Sequence, residues 1–298
     1  MMYHEPVLLK ESVDGLNIKK DGIYVDATFG GGGHSGAILK KLEKGSLIAF
    51  DQDKDALANK PDDERLVLIN QNFRFMRNFL KLYRAVPVDG ILADLGVSSH
   101  QIDQPDRGFS LRFDGDLDLR MNPKKSLTAR QIVNEYSVSK LKEIFFTYGE
   151  FNNAAKIAHS IEGARTKGEI RTTFQLKEAT VNCAPKGLEN KFYAKLFQAL
   201  RIEVNDELGA LKEFLEQSAE LIASGGRLVV ISYHSLEDRL VKNFMRAGNF
   251  EGEIGKDFYG NPIVPFKAIT KKPMTASEEE INRNNRARSA RLRIAEKI

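Results

Sequence analysis

Ile23-Tyr-Val-Asp-Ala-Thr-Phe-Gly30-Gly-Gly-Gly-His34-Ser-Gly36 carries the strongest fold signal in the chain. Its first half gathers β-branched and aromatic residues as a short buried strand does, then breaks into four consecutive glycines before a helical run from His34 to Leu42. A strand that ends in a loop almost without side chains lets a flat polar ligand approach the backbone. The helix that follows offers unpaired N–H groups and a positive dipole end.

Gly31, Gly33 and Gly36 fit the spacing G-x-G-x-x-G, and a second strand, Leu47-Ile-Ala-Phe-Asp51, ends in an acid where a ribose-binding carboxylate belongs. The strand ahead of the glycines also carries Asp26. A carboxylate there disfavours a pyrophosphate and suits a ligand with a cationic end, which points to S-adenosylmethionine rather than to a dinucleotide.

Working outward, 298 residues with 42% apolar content can bury one large core or two. No run approaches a membrane helix and no signal peptide opens the chain, so a cytoplasmic protein with no membrane partner is expected. One cysteine, Cys183, excludes an intrachain disulfide and a thiolate metal cage. The net charge of +4 is unevenly placed. From Gln104 to Val204 there are 17 Lys and Arg against 12 Asp and Glu, and Arg283, Arg286, Arg288, Arg291 and Arg293 crowd near the carboxyl terminus. Beside a nucleoside site, such charge implies a polyanionic substrate.

Leu66-Val-Leu-Ile-Asn and Val88-Asp-Gly-Ile-Leu-Ala-Asp94 read as third and fourth strands, with a helix from about Phe75 to Tyr83 between them. Alternating strands and helices indicate a doubly wound sheet with ligands at the carboxyl ends of its strands, where Asp26, Asp51, Phe73 and Asp94 fall. Phe73 suits stacking on an adenine face. From about 105 to 190 the strand signal vanishes and helical stretches follow one another. This predicts a helical insertion at 105–190 within a sheet domain of 1–104 and 191–298. The sheet resumes with a long amphipathic segment broken near Asn205-Asp206, a fifth strand at Arg227–Ser232, a helix from Leu236, and a closing pair at Phe266–Thr270 and Ala290–Glu296.

The chemistry narrows further. Methylation at a pyrimidine carbon generally needs a cysteine nucleophile, and Cys183 falls in the helical insertion, away from every strand end. Transfer to an exocyclic amine needs alignment and an acceptor for the N–H. Asp94 is the candidate acceptor and His234, just past the fifth strand, a candidate assistant. The five histidines show no metal-ligand spacing, so no metal is expected.

Several strings carry a resemblance: His4-Glu-Pro-Val-Leu-Leu, Asp26-Ala-Thr-Phe-Gly-Gly-Gly-Gly-His-Ser, Asp89-Gly-Ile-Leu-Ala-Asp-Leu-Gly-Val-Ser-Ser99, Arg107-Gly-Phe-Ser, Leu117-Asp-Leu-Arg-Met, Phe197-Gln-Ala-Leu-Arg-Ile, Ser232-Tyr-His-Ser-Leu-Glu-Asp-Arg and Arg286-Ala-Arg-Ser-Ala-Arg-Leu-Arg. In collinear order they resemble the ribosomal RNA small subunit methyltransferase H family. That resemblance implies a class I, Rossmann-like methyltransferase sheet (α/β) with an inserted helical substrate-recognition domain. It also implies S-adenosylmethionine as cofactor, and N4-methylation of a P-site cytidine in the decoding region of 16S rRNA of the small ribosomal subunit. Carried over by position, the family's cofactor contacts fall on Gly32, Gly33, His34, Asp51, Phe73, Asp94 and Gln101. The loop after Asp94 lacks the Pro-Pro-aromatic sequence of many amino-methyltransferases, which makes Phe109 or Tyr233 the candidates for stacking on the base. An NAD-dependent oxidoreductase and a non-catalytic ribosome-assembly factor are the competing readings, and a homodimer is left open.

Overall fold

A computed structural model of the chain describes residues 6–298, so His4 of the amino-terminal motif lies outside the described residues. One sheet contains β1 (Ile23–Asp26), β2 (Ser46–Phe50), β3 (Leu66–Ile69), β4 (Val88–Asp94), β5 (Ile222–Ser232), β6 (Phe266–Ala268) and β7 (Arg291–Lys297). Its strand order is β3-β2-β1-β4-β5-β7-β6. The first five strands run parallel, and β7 is antiparallel to both β5 and β6. The expected closing pair is therefore present, with β7 internal and β6 at the edge.

The helices are α1 (Leu9–Gly15), α2 (Gly33–Lys41), α3 (Met76–Leu82), α4 (Ser99–Asp103), α5 (Ala129–Glu135), α6 (Val138–Thr147), α7 (Ala154–Arg165), α8 (Thr173–Ala179), α9 (Glu189–Asn205), α10 (Glu207–Leu221), α11 (Ser235–Ala247) and α12 (Glu278–Arg283). The central strands carry apolar side chains on both faces because both faces are covered. Ile91, Ala93, Leu228 and Val230 pack with Met76 and Leu80 of α3, Phe214 of α10 and Phe244 of α11. Their alternates Leu92, Val229 and Ile231 pack with Val13 of α1 and Ile38 of α2. Each such side chain taken fully out of water contributes about 1.5–3 kcal/mol. Among the described residues, no helix is long and apolar enough to cross a membrane.

The chain divides into two compact units, one holding the residues up to Gly96 with Leu208–Ile298, the other Val97–Glu207. The second is helical apart from an irregular stretch at 108–128, which forms a single antiparallel bridge between Asp116 and Thr172, and it has its own core. The boundaries expected at 105 and 190 move outward, and the physical reason is α9. Its apolar face, Phe192, Leu196, Phe197, Leu200 and Val204, packs with Ile132, Ile144 and Ile157 of the helical unit. Amphipathic periodicity had marked α9 as a helix without saying which core it serves. The break expected near Asn205-Asp206 is real: Asp206 adopts φ 52°, ending α9 before α10 begins.

Candidate active site

The site is built at the carboxyl ends of β2, β1 and β4 in the sheet unit. β1 ends at Asp26, whose side chain is fully buried. Its Oδ2 accepts from Ser35 Oγ of α2 at 2.6 Å, and its Oδ1 from the Thr28 N–H at 3.1 Å. Burial pushes this carboxyl up, while His34 and the Ser35 hydroxyl oppose the shift. Asp26 is thus tied by both oxygens into the turn that leads into α2. It holds the loop closed onto the helix rather than facing a ligand.

In the loop, spacing and structure select different glycines. Gly32 caps α2 at φ 77°, where a Cβ would lie 2.9 Å from the Phe29 ring. At Gly33 a Cβ would lie 2.1 Å from Cγ of Pro6. Gly36, the third glycine of the G-x-G-x-x-G reading, meets nothing within 4 Å. The requirement falls on Gly30, at φ 53°, on Gly32 and on Gly33; the last two are the glycines that the family resemblance marks as cofactor contacts.

Asp51 lies one residue past β2. Its Oδ2 accepts from the Gly30 N–H at 2.7 Å and its Oδ1 from the Asp53 N–H at 2.8 Å. Asn59 Nδ2 donates to the Gly30 carbonyl at 3.0 Å, so Gly30 is gripped through both its donor and its acceptor. Burial pushes the Asp51 carboxyl up to about 6, against the pull of those two amides. Phe73 follows β3 in a turn capped by Asn72 Oδ1, which accepts from the Arg74 N–H at 2.9 Å. Its ring stands edge-on to Phe214, centroids 5.2 Å apart, and is half-buried.

Asp94 ends β4. Its N–H donates to Thr28 Oγ1 at 2.7 Å, and its Oδ1 accepts from the Tyr233 hydroxyl at 2.7 Å. Oδ2 lies 3.9 Å from His34 Nδ1, beyond hydrogen-bond reach, and the side chain is 23% exposed. Burial pushes this carboxyl up to about 6; His34 and Tyr233 pull it down, and the nearby Asp26 and Glu237 carboxylates push it further up. His34 is buried, with Nε2 at 3.2 Å from the Val7 carbonyl. A carbonyl only accepts, so Nε2 carries a hydrogen and Nδ1 faces Asp94; His34 draws the Asp94 carboxyl down only when its ring is protonated.

Asp26, Asp51, Asp94, Gly32, Gly33 and His34 are therefore brought together by direct hydrogen bonds and short contacts around one loop, with Phe73 one strand further out. His234 is used differently. It caps α11, Nδ1 accepting from the Glu237 N–H at 3.4 Å, with Nε2 3.2 Å from Glu237 Oε1. The partners of Asp94 are Thr28 and Tyr233, and His234 is not among them. Gln101 belongs to the helical unit, where it is buried and forms a capping box on α4 with Ser98. Phe109 also belongs there, packed on the helical core with the Arg107 guanidinium 6.0 Å from its ring centre. Sequence reasoning missed Thr28, Asn59 and the Tyr233–Asp94 bond. The last joins residues 139 positions apart, and no local pattern announces such a pair.

Of the carboxyl-terminal arginines, Arg293 is buried and donates through Nε to Asp238 Oδ1 at 2.7 Å, and Arg291 reaches Asp238 Oδ2 at 3.1 Å. Arg288 is exposed.

The model of the MraW methylase family matches residues 1–298. A protein of Flavobacterium johnsoniae named ribosomal RNA small subunit methyltransferase H is 59% identical over 299 residues, covering 100% of this chain and 99% of that protein. Proteins of the same name are similar in Christiangramia forsetii (56% identical, covering 100% of this chain and 99% of the relative) and in Cytophaga hutchinsonii (55% identical, covering 99% and 100%). A glycine loop between two strand-end carboxylates, on a chain matched from end to end, places this protein in the MraW methylase family.

Proposed function

We propose that this chain transfers a methyl group from S-adenosylmethionine to N4 of a cytidine in the decoding region of 16S rRNA, acting on the small ribosomal subunit. Its relatives' shared name supports methyl transfer to small-subunit rRNA. The observation that carries the finer reading is Asp94, a strand-end carboxylate beside the glycine loop with one oxygen bonded and the other accepting no hydrogen bond from the described residues.

The residues present fit the cofactor. At Gly32 and Gly33 a Cβ would collide with Phe29 and Pro6, so the turn between the two strand-end carboxylates carries no side chain there and leaves room for a flat ligand. Asp51, just past β2, is placed for a ribose. Asp26 already takes the Ser35 hydroxyl and the Thr28 N–H at the amino end of α2, which leaves fewer donors there for a doubly charged pyrophosphate. This weighs against the oxidoreductase alternative.

S-adenosylmethionine supplies an electrophilic methyl group when bound. The chain's own contribution is to orient the amine and take up its proton. As the amine nitrogen forms its bond to carbon, Asp94 Oδ2 accepts the N–H proton, and a carboxyl raised to about 6 is a better base than an ordinary one. Cys183, buried in the core of the helical unit, is in no position to add to a pyrimidine ring. The helical unit, 97–207, is assigned to substrate recognition.

The test is transfer of labelled methyl from S-adenosylmethionine to small subunits from cells lacking the endogenous enzyme, followed by nucleoside mass spectrometry. Label recovered as N4-methylcytidine is the expected result. Label on another nucleoside, or none despite measurable cofactor binding, would contradict the reading.

A further inference from the structure

We propose that Tyr233 is a positioning residue that fixes which oxygen of Asp94 takes the amine proton, an inference that rests on the reading of Asp94 above. The sequence offered Tyr233 as a surface for stacking on the base. The geometry points elsewhere, because its hydroxyl is committed to Asp94 Oδ1 at 2.7 Å.

Two further contacts hold Tyr233 in place. Its own N–H donates to Glu237 Oε2 at 2.9 Å, which ties it to the first turn of α11. Its half-buried ring packs on the core that contains Val229, Ile231 and Leu292, and it passes Gly96 closely enough that a Cβ there would touch Cδ2 at 3.5 Å. Asp94 is fixed at its other end by Thr28. The terminal torsion of an aspartate is broad and nearly twofold, so its two oxygens exchange readily unless something distinguishes them. A short, charge-assisted bond from a braced phenol does so.

The groups facing Asp94 are Tyr233 from the β5–α11 turn, His34 from α2, and the carboxylates of Asp26 and Glu237. Burial and the Asp94 and Glu237 carboxylates push the phenol well above its ordinary value, so it remains a donor throughout the neutral range. Oδ1 is thereby satisfied inside the protein, and Oδ2 is the oxygen presented to an incoming N–H.

Tyr233→Phe keeps the ring and deletes only the bond. In the full-length enzyme, kcat for methyl transfer should fall about 10- to 100-fold, with KM for cofactor and for small subunits within about threefold of wild type. The acid limb of the pH–rate profile should move to higher pH, since the lost bond favoured the ionised carboxylate. On an Asp94→Asn background, Tyr233→Phe should cause no further loss. Wild-type kcat in Tyr233→Phe, an unmoved acid limb, or a full additional loss in the double variant would each overturn the inference. An Asp94→Asn enzyme as active as wild type would instead overturn the reading of Asp94 on which it rests.

Discussion

Asp26 and Asp94 end neighbouring parallel strands and both read in the sequence as facing a ligand, yet the structure surrounds them differently. Asp26 is fully buried, and both its oxygens accept from the protein. Asp94 is partly exposed, with one oxygen bonded to Tyr233 and the other accepting no hydrogen bond from the described residues. A strand-end position is therefore not sufficient to make a carboxylate functional. What separates the two is exposure together with the donors the fold supplies: Asp26 is fully buried and bonded at both oxygens, whereas Asp94, like the doubly bonded Asp51, keeps exposed surface.

The contrast is sharpest in Asp94→Asn, which should lower kcat by about 10²- to 10⁴-fold, because an amide cannot take up the amine proton. The same variant should be more stable at neutral pH. A carboxyl raised to about 6 in the folded protein, against about 4 unfolded, binds more protons when folded between those values. Stability is therefore lost as pH rises through that window, and removing the charge restores it. Thermal denaturation at pH 8 should show a Tm about 2–4 °C above wild type, with the gain shrinking towards pH 5.

Asp26→Ala should do the reverse. It strands the Ser35 hydroxyl and the Thr28 N–H, each costing about 1–3 kcal/mol, so Tm should fall by roughly 5–10 °C. Calorimetry should show weaker S-adenosylhomocysteine binding through the loosened loop. If Asp26→Ala were stable and inactive while Asp94→Asn were active, the roles assigned to the two would be exchanged.

Asp51→Ala sharpens the comparison from the cofactor side. It releases Gly30 and removes the acid placed for a ribose, so cofactor affinity should drop about tenfold or more while affinity for rRNA, followed by filter binding, stays unchanged. Equal loss of both would place Asp51 in the RNA contact as well.

The smallest effects separate two arginines of one run. Arg288→Ala should weaken rRNA binding and reduce its salt slope by about 1. Arg293→Ala should leave the salt slope alone and destabilise the fold, since it leaves Asp238 without its buried partner on an internal strand. The sequence had grouped all five arginines as a single basic cluster.

Much of the fold was legible because its signals are local. The strands from Ile23, Leu47, Leu66 and Val88 are apolar runs bounded by turn residues, and the structure places them within a residue or two of those readings. The rest depended on contacts that spacing does not encode. Gly31, Gly33 and Gly36 satisfied a pattern, but backbone geometry puts the requirement on Gly30, Gly32 and Gly33. The apolar face of α9 could have served either core, and the helical one holds it. His234 has the right neighbourhood for catalysis, yet its ring caps a helix. Tyr233 was offered for its flat face and is engaged through its hydroxyl.

The measurement that bears most directly on the account is the pH dependence of single-turnover methyl transfer to small subunits, in wild type and in Asp94→Asn. The account predicts a wild-type rate that falls below an apparent pKa near 6, and a slow, pH-independent residual rate in the variant. The same acid limb in both enzymes would show that another group takes the proton, and would contradict the assignment of Asp94.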